Sequence, residues 1–204
     1  MKRVILSRNK ILIILAFVSI LTGCREVAVP KPKGYFRIDL PAREYTVFRD
    51  TALSDGYLPL RFEYPGYGRI SFEADPNSEP GWFNIDFAAY KAKLYLTYRD
   101  INNDLEDLME QTYRMNVKNH ITKADAINEQ MFIDPENKVY GILYDLKGNT
   151  ATAVQFFVTD SIKHYFRGSL YFLAEPNPDS LAPVNEFFRE DIIHLIETLR
   201  WKEK

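Results

Sequence analysis

The 204 residues carry 26 Lys and Arg against 28 Asp and Glu, a formal net charge of −2, with 46% hydrophobic and 14% aromatic residues and one cysteine. A single thiol excludes an intrachain disulfide framework, and the slightly acidic balance argues against nucleic acid or an anionic membrane surface as the main partner. The size suits one domain with a substantial core.

In chain order, Lys2, Arg3, Arg8 and Lys10 frame the start of an apolar run, Ile11 to Leu21. Its eleven residues are too few to span a hydrocarbon core, which takes about 20 in a helix. A basic start, a short apolar stretch and small residues before a cut site describe a secretory signal. Leu21-Thr22-Gly23-Cys24 resembles the lipobox of bacterial lipoproteins, in which the thiol is diacylated and the chain is cut just before it. The resemblance makes Cys24 the lipid attachment point, with palmitate-type chains. More than one chain is physically sensible, because a single acyl chain binds a membrane only marginally. Removing 1–23 leaves 22 basic against 28 acidic residues, a net charge of −6. The expected organisation is a signal peptide over 1–23, a lipid anchor and tether over 24–44, and one α+β domain over 45–204. Pro30 and Pro32 keep Arg25–Lys33 extended, and at about 3 Å per residue it holds the domain within a few tens of ångströms of the lipid.

From Tyr45 the hydrophobic period is mostly two. Phe83, Ile85 and Phe87 alternate with Trp82, Asn84 and Asp86, and Ala92, Leu94, Leu96 and Tyr98 alternate with Lys91, Lys93, Tyr95 and Thr97. That pattern predicts half-buried antiparallel strands. "RISFEAD", "ADAINEQMFI", "VYGILYDL", "TATAVQFFVTD" and "HYFRGSLYFLA" read the same way, separated by turn residues such as Asp134-Pro135-Glu136-Asn137. Two stretches have the helical period instead. Over 103–119, Asn103 and Glu106 predict a capping box, and Leu105, Leu108, Met109, Thr112 and Tyr113 a buried stripe. Over 183–201, Pro183 suits the first turn, and Val184, Phe188, Leu195, Ile196 and Leu199 share a face. The expected fold class is α+β, a largely antiparallel sheet with helices packed on it.

Catalytic constellations are hard to find. There is no G-x-S-x-G elbow, and "GYGRIS" lacks the spacing and the βα context of a dinucleotide loop. "DPNSE" at 75–79 starts like a calcium loop but places Pro80 where glycine belongs. His120 is expected to cap the negative end of the first helix as a cation. His164 is expected to open a strand in solvent, and His194 to form a solvated pair with Glu190 or Asp191. The polar stretches "HITKADAINE" and "GNTAT" bring together His120, Lys123, Asp125, Asn128, Asn149, Thr150 and Thr152. They fit either an ordinary solvated sheet face or a docking patch. No catalytic residue, metal ligand or cofactor site is expected.

With the lipobox go "PKPKGYFRIDLP" (30–41), "NIDFAAYKAKLYLTY" (84–98), "HITKADAINE" (120–129), "GNTATAVQFFVTDS" (148–161), "RGSLYF" (167–172) and "SLAPVNEFFREDIIHLIETLRW" (180–201). Together these resemble the gliding-motility lipoprotein D (GldD) family. The resemblance implies an α/β/α sandwich similar to the Mog1/PsbP-like fold. It also implies a non-catalytic accessory or structural part of the gliding-motility and type IX secretion machinery, with envelope proteins as partners. The absence of Asp directly after Cys24, with Glu26 the only acidic residue close behind it, points to an outer-membrane anchor facing the periplasm. A carrier of a lipid or small apolar ligand is the alternative, and an envelope hydrolase a more remote one.

Overall fold

The computed structural model describes residues 38–48, 58–72, 79, 81–148, 150–173 and 178–202, with 178–180 in backbone only. All belong to the second of two units into which the chain divides, Phe36–Lys204. Cys24, Arg25–Lys33, most of "DPNSE" and Asn149 lie outside the described residues.

Short strands come first: β1 (Tyr45–Val47), β2 (Leu60–Arg61), β3 (Glu63–Pro65) and β4 (Arg69–Ser71). Then follow β5 (Trp82–Phe87), β6 (Ala92–Asp100) and helix α1 (Leu105–Tyr113). Next are β7 (Ala124–Asp134), β8 (Val139–Gly148), β9 (Thr152–Thr159) and β10 (His164–Phe172), and the chain closes with helix α2 (Pro178–Glu197) and β11 (Arg200–Trp201). Seven strands make one sheet in the order β4-β5-β6-β10-β9-β8-β7, and β1–β3 and β11–β2 form two small ribbons. All described pairings are antiparallel.

Alternation along each strand sorts the side chains onto two faces. On one face Phe83, Ile85, Leu94, Leu96, Leu143, Val154, Phe156, Val158, Phe166 and Leu170 pack under Val184, Phe188, Ile192, Leu195 and Ile196 of α2. On the other, Tyr144, Leu146, Phe157 and Tyr165 pack under Leu108 of α1 and Val117 beyond it. The molecule is thus an α+β domain with a helix on each face of an antiparallel sheet. Because both faces are covered, β9 is buried at every position rather than half-buried.

The helices depart from expectation at their ends. Asn103 is left-handed (φ 62), Asp104 takes the cap position without a side-chain bond to the helix, and Asp104 Oδ1 accepts the Asn102 N–H at 2.7 Å instead. The capping box therefore does not form. α1 buries Leu108 and Thr112 but leaves Met109 40% and Tyr113 44% exposed, then loosens into a π-helical segment over Arg114–Lys118. α2 starts earlier than its proline suggests, with Pro183 inside it, and its stripe is buried as expected. Trp201 is not helical but pairs with Leu60 in the β11–β2 ribbon. There it covers His164, whose ring stacks on the indole at 5.1 Å while Nδ1 lies 2.7 Å from the Tyr98 hydroxyl. His164 is therefore interior, not a solvent-facing strand opener.

The β9–β10 turn depends on one carboxylate. Asp160 Oδ1 accepts the N–H groups of Ile162 (3.0 Å), Lys163 (2.8 Å) and His164 (2.8 Å). Burial opposes its ionisation, but these three donors outweigh that and hold the carboxyl below its ordinary range. Asp160→Ala should cost about 1–3 kcal/mol. A depressed carboxyl stabilises above its unfolded value and loses that contribution as pH falls through its folded value. The gap in urea midpoint between wild type and Asp160→Ala should therefore shrink between pH 5 and pH 3; a gap that stays constant would remove the carboxylate from the explanation.

Candidate functional site

The polar patch expected from sequence divides in the structure. Lys123, Asp125 and Asn128 are exposed at the start of β7, the outer strand of the large sheet. His120 is half-buried in the preceding turn, where its carbonyl accepts the N–H groups of Lys123 and Ala124. Burial and the Lys123 ammonium both push its imidazole down. It is neutral near pH 7, and the expected capping cation is not there. Asp125 is set out by a register shift between Ala124 and Ala126. It lies so close to Gly148 (φ 98) that a Cβ there would come within 2.7 Å of its backbone N. Thr150 and Thr152 do not reach this surface. Both are buried, with Thr150 Oγ1 donating to the Thr152 carbonyl at 2.8 Å and Thr152 Oγ1 to the Leu170 carbonyl at 2.7 Å. A hydroxyl bound to backbone is compatible with a central strand, which is why these threonines lie inside.

What borders the patch was not evident in sequence. On the α1 side, Ile127, Glu129, Met131 and Ile133 share one face of β7. Met131 is 72% and Ile133 69% exposed. Beside them Leu105, Met109 and Tyr113 of α1 face Ile142, Tyr144 and Phe157 across an open groove of about 650 Å3. Glu106, Glu110 and Glu129 lie on its edges. Burial and Glu129 push the Tyr144 phenol up to about 12, so it stays protonated. The opposite face of β7 is tied down: Phe132 packs on the main core and Gln130 accepts from Arg189 of α2 at 2.6 Å.

A second constellation assembles at α2. Asp191, 2% exposed, accepts from the Tyr67 hydroxyl, the Tyr45 hydroxyl at 3.0 Å and Arg43 Nε at 3.3 Å. Arg43 also pairs with Glu190 and lies 4.5 Å above the Phe187 ring. His194 does not pair with either acid on its own helix. It bonds Glu63 at 2.8 Å and stacks on Tyr45 at 3.7 Å. Burial and Asp191 hold the Tyr45 phenol up to about 12 and raise Tyr67 further. These phenols cannot act as bases near neutral pH, and their bonds to Asp191 occupy its lone pairs. The cluster fastens Arg43 and β1, the first described strand, to the closing helix. Among the described residues no group of three or more His, Cys, Asp or Glu side chains could hold a metal ion.

The whole of this region lies within a match to the family model described as gliding motility lipoprotein GldD, over residues 25–201. The chain belongs to that family. It is accordingly a gliding-motility-associated lipoprotein of the cell envelope. Among solved structures it is similar to cyanobacterial PsbP (CyanoP) from Synechocystis sp. PCC 6803, with 14% identity and a TM-score of 0.48 over 81% of this chain and 97% of that one. No curated protein matches it.

Proposed function

We propose that this lipoprotein works by docking rather than turnover, as an accessory or structural component of the gliding-motility and type IX secretion machinery. Cys24 carries its acyl chains, in the outer membrane and facing the periplasm. The observation that carries the docking reading is the eleven-residue outer strand β7, with Met131 and Ile133 exposed beside the groove. An outer strand offers unpaired N–H and C=O groups, and proteins usually blunt such an edge with lysine, proline or a covering loop. Residues 124–134 contain neither lysine nor proline. An extended partner segment adding to β7 would set alternate side chains against Met131, Ile133 and the groove. Glu106 and Glu129 on the rim favour a segment bearing Lys or Arg, while Glu110 is paired with Arg114 at 3.3 Å. Carboxylates on the rim of an open trough suit a basic peptide better than a lipid tail, which favours docking over the carrier reading.

The test is crosslinking in intact cells followed by purification through a C-terminal tag. Met131→Lys and Ile133→Lys exchange exposed side chains and should change stability by less than about 0.5 kcal/mol. Each should lower recovery of motility-machine proteins several-fold and slow gliding, and Cys24→Ser should weaken recovery as well. Normal crosslinks and gliding in the double lysine variant would refute docking at β7.

A further inference from the structure

A smaller cavity, of about 120 Å3, lies where α1 passes β6 and β10, lined in part by Trp82, Thr97, Arg99, Gln111 and Arg167. Strand register places Trp82, Thr97 and Arg167 in one row across β5, β6 and β10. Arg167 is half-buried and makes no ion pair among the described residues; its hydrogen-bond acceptor is the Met115 sulfur, 3.3 Å from Nη1. Burial pushes its guanidinium pKa down, and the neighbouring charges are Arg99 and Glu79. Glu79 is already bound to Arg99. Among the described residues the cavity is lined by two guanidinium groups and one carboxylate. The Tyr165 hydroxyl is committed to Thr112 at 2.7 Å.

A half-buried cation whose hydrogen-bond acceptor among the described residues is a thioether is weakly compensated, and an anion bound beside it would relieve that. The surroundings describe what the anion is attached to. Trp82 lines the cavity and is 37% exposed, and Tyr95, 38% exposed, follows on the same face. The next row runs Tyr95, Ser169, Gln155. There Ser169 Oγ donates to Gln155 Oε1 at 3.2 Å, while Gln155 Nε2 is buried without a hydrogen-bond partner among the described residues. Partly exposed rings next to unused amide and guanidinium donors suit a sugar, whose C–H face lies on an aromatic plane while its hydroxyls accept hydrogen bonds.

We propose that this cavity binds the carboxylate of an acidic saccharide, with Arg167 as its bidentate partner and Trp82 under the ring. The carboxylate is planar and singly charged, matching the guanidinium fork. Docking at β7 does not enter this argument.

The test is isothermal titration of the full-length lipoprotein in detergent with a glucuronic-acid oligosaccharide, the matching neutral glucose oligosaccharide, acetate and inorganic phosphate. The uronate should bind at least about tenfold more tightly than the other three. Arg167→Met should weaken it about 10–100-fold and Trp82→Ala less. Arg167→Met should also leave the melting temperature unchanged or higher, since it removes an unpaired half-buried charge. Binding of phosphate or acetate as tight as the uronate would refute the saccharide, absence of any binding would refute the site, and a large fall in melting temperature for Arg167→Met would make Arg167 a structural residue.

Discussion

Phe166→Ala should destabilise the domain by about 3–5 kcal/mol. For a domain of this size that lowers the melting temperature by roughly 6–20 °C. Phe166 is fully buried on β10, the middle strand of the large sheet, and touches three other rings. Its centroid lies 5.7 Å from Phe156, 5.8 Å from Phe62 and 6.1 Å from Phe83. Phe62 in turn stacks on Phe48 at 4.7 Å, so the ring joins the sheet to the segment carrying the short N-terminal strands. Truncation would leave a void that this set cannot close without moving strands. Neighbouring Gly168 already shows how tightly the layer is filled, since a Cβ there would meet Phe156 Cε1 at 2.3 Å. Urea unfolding should show a lower midpoint with an unchanged slope. A loss below about 1 kcal/mol would mean that the aromatic layer repacks freely.

The parts of this fold legible in the sequence are those whose partners do not matter. Leu94 and Leu96 read as buried by alternation alone, and Val184 and Phe188 by helical spacing, whatever they pack against. The failures share the opposite property. His164 looks like a surface histidine until Trp201, distant in sequence, covers it. Thr150 and Thr152 look like a solvated hairpin tip until β10 supplies the Leu170 carbonyl. Met109 and Tyr113 obey the helical period, yet α1 turns only part of its stripe to the sheet, so they wall a groove instead. Nothing local marks β7 as an outer strand or leaves Arg167 without an ion pair among the described residues. Position in the strand order decides both.

The Asp191 cluster is the sharpest case, and its removal is the second large effect expected. Helix spacing suggests that Asp191 pairs with His194 one turn on, whereas its donors come from Arg43, Tyr45 and Tyr67, more than a hundred residues away. Asp191→Ala should cost about 3–5 kcal/mol, because it strands the Tyr67 and Tyr45 hydroxyls and half of the Arg43 pairing at once. Asp191→Asn, which keeps one acceptor oxygen, should cost less. Burial pushes the Asp191 carboxyl up, the tyrosine and arginine donors pull it down, and the net shift is upward. A carboxyl with a raised folded value contributes most below its unfolded value of about 3.9 and loses that contribution as pH rises through its folded value. The stability gap between wild type and Asp191→Asn should therefore be widest below about pH 4 and narrow toward pH 7. A gap that widens toward neutrality would mean the three donors outweigh burial and the ionised form is the one the fold prefers. The site also has a mechanical consequence. Arg43 and Tyr45 hold the start of β1 to α2 at Asp191 and Glu190, and ahead of them the Asp39 carbonyl accepts from the Tyr90 hydroxyl at 3.2 Å. Proteolysis within residues 38–48 should accelerate in Asp191→Ala well before the central strands open, since losing the clamp frees that segment from α2 while the sheet remains intact.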